Sequence, residues 1–196
     1  MIDTAALNAL FLEARTQNGW LPKPVLDADI KQAFDIMKMA PTSANCQPAR
    51  FVFLRSVAAK ERIRATLSPG NVDKTMSAPV VAIIAHDTQF QEHLPRLFPH
   101  APNFRALFDG EEKKVGREIA AFRNGTLQSA YFILALRAVG LDSGAMSGFN
   151  NAAVDTEFFP DGRFKSNFLL NIGYGDPAKV MGRSPRFGFD EVCQVL

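Results

Sequence analysis

Residues 130–136 read Ala-Tyr-Phe-Ile-Leu-Ala-Leu and close the longest helical pattern in the chain, which covers residues 116–139. The pattern corresponds to about 36 Å of helix at roughly 1.5 Å per residue. Its first half is amphipathic, whereas its second half is apolar all round. A helix with no polar face has to be covered on every side. In a chain of 196 residues it is therefore either the central helix of the fold or one buried by a second subunit. Gly140 ends it.

Residues 78–85 are nearly unbroken in apolar character and predict a strand buried on both faces. Residues 168–173 predict a second such strand, 50–55 a third, and 141–146 a short extended piece. Asp3 or Thr4 caps a first helix with Leu7, Leu10, Phe11 and Ala14 at helical spacing. Asp27 caps a second, with Ile30, Phe34 and Met37 as its buried stripe. Further helical stretches are expected at 56–67, 71–77 and 154–159. Residues 87–115, broken by Pro95, Pro99 and Pro102, show no sustained period, and so long an irregular stretch is a candidate lid or surface excursion. No repeat or linker divides the chain, so residues 1–196 read as a single α+β domain.

The loop between the second helix and the strand from residue 50 is small, polar and bracketed by Pro41 and Pro48. The prolines stiffen it and leave Thr42, Ser43 and Asn45 free to present hydroxyl and amide groups to a neutral, polar ligand. A formal charge of +2 with dispersed basic residues excludes a nucleic-acid or membrane footprint. No apolar run approaches the ~20 residues of a membrane span. Two cysteines, Cys46 and Cys193, are too few for a disulfide framework. With no signal-peptide pattern at the start, a cytoplasmic location is expected.

Motifs for protein-borne chemistry fail. Gly173-Tyr174-Gly175-Asp176-Pro177-Ala178 matches a dinucleotide fingerprint, but the residues after it cannot hold the required crossover helix and second strand. His86, His93 and His100 share no helical face across Pro95 and Pro99, so no metal site is expected. The serine of 144–148 stands one place late for a nucleophile elbow. Nothing marks a base for Cys46. If the chain is an enzyme, a cofactor carries the reaction.

Five elements recur in order: Arg15 at the end of the first helix, Pro41-Thr42-Ser43-Ala44-Asn45-Cys46-Gln47-Pro48, Asn71-Val72-Asp73-Lys74, Ala145-Met146-Ser147-Gly148-Phe149, and Arg183-Ser184-Pro185. In order and spacing they resemble the FMN-dependent nitroreductase family along nearly the whole chain. Arg123-Asn124 and residues 171–176 resemble most its malonic semialdehyde reductases of pyrimidine degradation. The resemblance implies a three-layer α+β fold with a mixed, mainly antiparallel sheet flanked by helices, as an intertwined homodimer with the flavin at the interface. It implies FMN contacts from Arg15, Gln17, Pro41, Thr42, Ser43, Asn45, Asn71, Lys74, Ala145, Met146, Ser147, Gly148, Arg183 and Arg186, with the phosphate on the arginines. Lys74 acts electrostatically near the ring, and no residue is assigned as a certain catalyst.

The implied activity is ping-pong hydride transfer from NADH or NADPH through flavin N5 to a small aldehyde or nitroaromatic acceptor. Malonic semialdehyde would give 3-hydroxypropionate, with Arg105 or Arg123 meeting its carboxylate. A broad nitro or quinone reductase and a non-catalytic flavin-binding protein are the alternatives. Two positions depart from the family pattern. Gln17 and Gly19 follow Arg15 where a Ser and a second cation are common, leaving Arg183, Arg186 or Lys179 to supply that charge. Ser147 stands where many members have an acid.

Overall fold

The computed structural model describes residues 2–196. Four strands, β1 (Ala49–Leu54), β2 (Val80–Asp87), β3 (Asp142–Met146) and β4 (Phe164–Gly173), form one sheet in the order β1-β2-β4-β3. It is the mainly antiparallel sheet expected, and all of its pairings are antiparallel. Every residue of β2 is buried, as its unbroken apolar sequence requires. Val80, Ala82 and Ile84 face one core, and Val81, Ile83 and Ala85 face the other.

Helices α2 (Asp27–Met37) and α6 (Lys114–Ala138) cover the first face. Helices α3 (Val57–Arg64), α4 (Val72–Met76) and α7 (Asn151–Phe158) cover the second. This is the three-layer arrangement. Between Ile84↔Phe168 and Ala85↔Ser166 the register slips, leaving Asn167 as the extra residue of a β-bulge. Bulges re-aim side chains, and here Asn167 Nδ2 reaches Thr126 Oγ1 on α6 at 2.8 Å.

Several local expectations are corrected. Phe34 is 42% exposed and meets Phe51 edge-on, while Ala33 takes the buried position expected of it. The cap of α2 is Leu26 rather than Asp27, which is the first helical residue. The first helix, α1 (Thr4–Leu7) with a π-helical continuation Asn8–Leu12, ends before Ala14 and buries none of its residues.

The long helix is present, but only Phe132, Ala135 and Leu136 of its apolar half join the core fully, with Tyr131 and Ile133 packed beside them. Its first half is inverted. Arg117, Asn124, Gln128 and Ser129 face inward and are buried, whereas Val115, Ile119, Phe122 and Leu127 are 70%, 51%, 51% and 42% exposed. Ser129 bonds back to Gly125 O within the helix, whereas Arg117, Asn124 and Gln128 partner the backbone of the adjoining loops. Arg117 donates to the carbonyls of Thr88, Phe108 and Gly110. Those bonds, with Phe90, Leu94, Phe98, Phe104 and Phe108 packed together, fasten the 87–115 stretch, which folds as 3-10 turns and the short helix α5 (Leu94–Leu97).

His86, at the end of β2, is 7% exposed beneath the edge of the Phe122 ring. Burial pushes its imidazole below the ordinary value of 6.5, with Asp155, Glu118 and Asp87 opposing and Lys165 adding to the shift. The unfolded chain therefore takes up this proton more readily than the folded one. Stability is full above pH 6.5 and falls as the pH drops below it. We expect urea midpoints of the wild type to decline on acidification through that range, and His86→Gln to lack this component.

Candidate active site

Beyond α1 the chain runs along the free edge of β3. The Gln17 amide donates to Ser143 O at 3.1 Å, Trp20 bridges Gly175, and Leu21 N donates to Tyr174 O at 2.8 Å. This brings Arg15 to the C-terminal tail. Arg15 donates to the carbonyl of Met181, and Arg183 Nη2 returns to Leu12 O at 2.7 Å and Ala14 O at 3.4 Å. Arg186 folds back onto the carbonyls of Ser184 and Pro185. All three arginines line one cavity of about 340 Å³, with Thr16, Asn18 and Ser184. None of the three has a carboxylate partner among the described residues. Forked cations gathered without an acid suit a phosphate-like dianion.

Neighbouring groups set this end. Arg137, at the foot of α6, donates to Arg15 O and pairs with Asp142 at 3.5 Å, and burial lowers its pKa. Asp142 Oδ2 also accepts the Gly175 amide at 2.9 Å. Gln17 is a wall rather than a projecting group. It is 7% exposed and lies so close over Gly175 that a Cβ there would meet its Cδ at 2.1 Å. Its Oε1 is buried with no partner among the described residues. A Cβ at Gly19 would stand 2.7 Å from Cγ and Cδ of Lys179, so the lysine stem occupies the space a side chain at 19 would fill.

Asn71 and residues 145–148 meet at the other end of β3, with Lys74 following Asn71 on the short helix α4. Asn71 does not cap α4 with its side chain; instead Nδ2 donates to Gly148 O at 2.8 Å, which the Ser68 amide also approaches at 2.9 Å. A Cβ at Gly148 would stand 2.5 Å from Asn71 Nδ2, so a side chain there would have to push that amide off its bond to Gly148 O. Met146 is buried and accepts from Thr75 Oγ1 through its sulfur, while Ala145 and Ser147 are exposed. Ala145, Met146, Ser147, Asn167 and Phe168 line a second cavity of about 320 Å³. The half-buried Lys74 side chain has no ion pair or hydrogen bond among the described residues.

The Pro41–Pro48 loop is not brought to these groups. It enters β1, the outer strand opposite β3, about 14 Å away at roughly 4.8 Å per strand. Ala44, Asn45 and Gln47 adopt φ of 48°, 49° and 39°, a left-handed conformation costing about 1–3 kcal/mol each for non-glycine residues. Side chains hold it there. Asn124 Oδ1 accepts the Ser43 amide at 2.8 Å, Gln128 Oε1 accepts Ala49 N at 2.9 Å, and Thr42 Oγ1 accepts Gln47 N at 3.3 Å. Arg50 clasps the carbonyls of Gln47 and Ala49 and pairs with the buried Asp87 at 2.7 Å. Contrary to expectation, the Asn45 amide is engaged. It donates to Leu97 O at 2.8 Å and accepts from Gln47 Nε2 at 2.7 Å. Ser43 and Pro41 remain exposed.

Arg105 is paired with Asp109 at 2.9 Å, which disfavours it as a substrate cation. Arg123 opens onto a groove of about 1010 Å³ along α6, shared with His86, Ile119, Phe122, Leu127 and Lys165. Burial raises the Cys46 thiol to about 11, so it is no nucleophile near neutral pH. Sequence reasoning missed Trp20, Arg137 and Asn171, which touch the site only through backbone carbonyls. The chain's single tryptophan, five residues after Arg15, was the available signal.

The sequence profile of the Nitroreductase family matches residues 14–174. A Ralstonia pickettii protein, HadB, provisionally named an NADH dehydrogenase/NAD(P)H nitroreductase, is 54% identical over 98% of this chain and 98% of its own length. The fold matches the Bacillus subtilis nitroreductase-like protein ydfN with a TM-score of 0.89 at 20% identity, over 99% of this chain and 100% of that one. It also matches an Exiguobacterium sibiricum nitroreductase-like protein solved in complex with FMN, with a TM-score of 0.85 at 17% identity, over 100% and 99% of the two chains. The chain belongs to the nitroreductase family.

The Gly148 contact makes a local prediction. Gly148→Ala should cost about 1–3 kcal/mol by crowding Asn71, whereas Gly70→Ala, with nothing within 4 Å of its Cβ, should be nearly neutral. Thermal unfolding of the two variants measures the difference.

Proposed function

We propose that this chain is an FMN-dependent NAD(P)H oxidoreductase that works as a homodimer and reduces malonic semialdehyde to 3-hydroxypropionate. The observation that carries the reading is the pairing of two unlike ends along β3. Arg15, Arg183 and Arg186 surround one cavity without an acid; at the other end Asn71 bonds Gly148 and Thr75 bonds Met146, with Lys74 on α4 between Asn71 and Thr75. A molecule with a dianionic head, a polar chain and a flat, hydrogen-bonding ring fits such a sequence of groups. FMN, when bound, supplies the two-electron chemistry linking a nicotinamide donor to an acceptor.

The chain's own residues then have separable tasks. The arginines bind the phosphate, Asn71 and the Gly148 backbone define the ring's edge, and Met146 underlies the site with a soft apolar contact. Lys74, lacking an acidic partner, provides positive charge where reduction adds negative charge. Of the two cations considered for the acceptor carboxylate, Arg123 is the one without an ion pair among the described residues. The provisional nitroreductase name of the Ralstonia relative favours a second reading, in which nitroaromatics or quinones are the acceptors.

A second copy completes the arrangement. The polar loop and the β3 groups occupy opposite edges of one protomer, so a dimer can set one copy's Ser43 and Asn45 region beside the other's Lys74. Three apolar surfaces lack cover: the outer stripe of α6, the first helix, and the tail with Phe187, Phe189 and Val192 exposed. Light scattering should give a dimeric mass for the wild type and a monomeric one for Phe122→Asp; a monomeric wild type would refute the dimer.

The purified protein should be yellow, and NADH or NADPH should bleach it anaerobically. Arg183→Ala should weaken FMN binding by about tenfold to a hundredfold, the range for losing a charge-assisted bond. Absence of bleaching by either nicotinamide would sink the catalytic reading. Turnover on malonic semialdehyde against nitrofurazone decides between the two acceptors.

A further inference from the structure

Helix α4 has five residues, too few to hold its own shape in water, so whatever fixes Lys74 comes from outside the helix. The following amides pass over the Lys74 carbonyl: Ser77 N bonds Asp73 O at 3.0 Å and Ala78 N bonds Thr75 O at 3.2 Å. The carbonyl is taken instead by two side chains from distant parts of the chain. Trp20 Nε1 donates to it at 3.0 Å and Asn171 Nδ2 at 3.2 Å. A carbonyl oxygen has two lone pairs, and this pair of donors uses both. Ser77 Oγ, committed to Asp73 O at 2.7 Å, only grazes it at 3.5 Å.

Neither donor is placed as packing alone would place it. Asn171 is fully buried in β4 between apolar neighbours, and its Oδ1 has no partner among the described residues. A leucine there would leave no orphaned acceptor, so the amide's remaining use is its bond to Lys74. Trp20 is locked by its bridge to Gly175 and by Gly173, where a Cβ would meet Trp20 Cε3 at 2.7 Å. Its N–H is thereby aimed at one point. Lys60 secures the far end of α4, donating to Met76 O and Ala78 O at 2.8 Å each.

We propose that Trp20 and Asn171 are positioning residues: by filling both lone pairs of the Lys74 carbonyl they fix the origin of its ammonium, and so set the reduction potential of the bound flavin. The inference rests on the FMN reading of this pocket. Lys74 favours reduced over oxidised flavin only if its charge is held in place, and a carbonyl anchored to β4 and to the Arg15 segment holds it. Trp20→Phe keeps the ring and removes the N–H; Asn171→Leu keeps the volume and removes the amide.

The test measures the midpoint potential and the FMN dissociation constant of the holoprotein for the wild type, Trp20→Phe, Asn171→Leu and Lys74→Met. Each positioning variant should lower the potential in the same direction as Lys74→Met. Reduced FMN should lose roughly three- to tenfold in affinity relative to oxidised FMN, the scale of coupling between neighbouring groups. Combining either variant with Lys74→Met should add no further shift. A purely structural role would lower the melting temperature and leave the potential alone. Wild-type potentials in both positioning variants, with a shift in Lys74→Met, would overturn the proposal while sparing the flavin pocket. An unshifted Lys74→Met, or a wild type that binds no FMN, would overturn the pocket assignment and the proposal with it. Either positioning variant suffices if the other fails to fold.

Discussion

The inward face of α6 is polar, and much else follows from that. Arg117, Asn124 and Gln128 are nearly fully buried, which is expensive unless every such group is bonded. They are bonded to backbone: Arg117 to three carbonyls of the 87–115 stretch, Asn124 to the Ser43 amide within the Pro41–Pro48 loop and Gln128 to the Ala49 amide just after it. At about 1 kcal/mol net for each bond, this set, together with the Arg50–Asp87 pair, offsets a left-handed loop that would otherwise relax. A helix that spends its inner face on loops must carry its apolar residues outside. The exposed Val115, Ile119 and Phe122 are the geometric counterpart of the ordered loop.

That trade also explains why the candidate site is divided. The loop held by α6 lies at the β1 edge, and the arginine and lysine groups lie at the β3 edge. In the proposed dimer the outer α6 stripe and the polar loop would be served by the same second copy, one for apolar cover and the other for a site that closes across it.

Much of the architecture was legible in the sequence. The unbroken apolar run of β2 and the long helix were readable because burial on both faces and length leave few alternatives. Asn71 and residues 145–148 were named, and they do meet. What was not legible depends on pairing across distance. Phe34 fits a buried stripe as well as Ala33 does, and only packing against Phe51 decides between them. The inversion of α6 is invisible to periodicity, because a stripe of alternating character does not say which side is inside. Asn45 looked free because local sequence cannot show that Leu97 supplies its acceptor. Trp20 and Asn171 escaped because their partner is a main-chain oxygen, which no side-chain motif records.

The position of Trp20 has a consequence of another kind. It is the only tryptophan in the chain, five residues beyond Arg15 and bonded to the carbonyl of Lys74. Its indole fluorescence thus comes from one defined place, between the cluster of arginines and the lone lysine. On the proposed FMN reading, ligand arriving at either end would alter the surroundings of that fluorophore, and energy transfer to a nearby coloured ring would quench it. The wild-type protein would then carry its own optical gauge of whether the two halves of the proposed pocket are filled together or in turn.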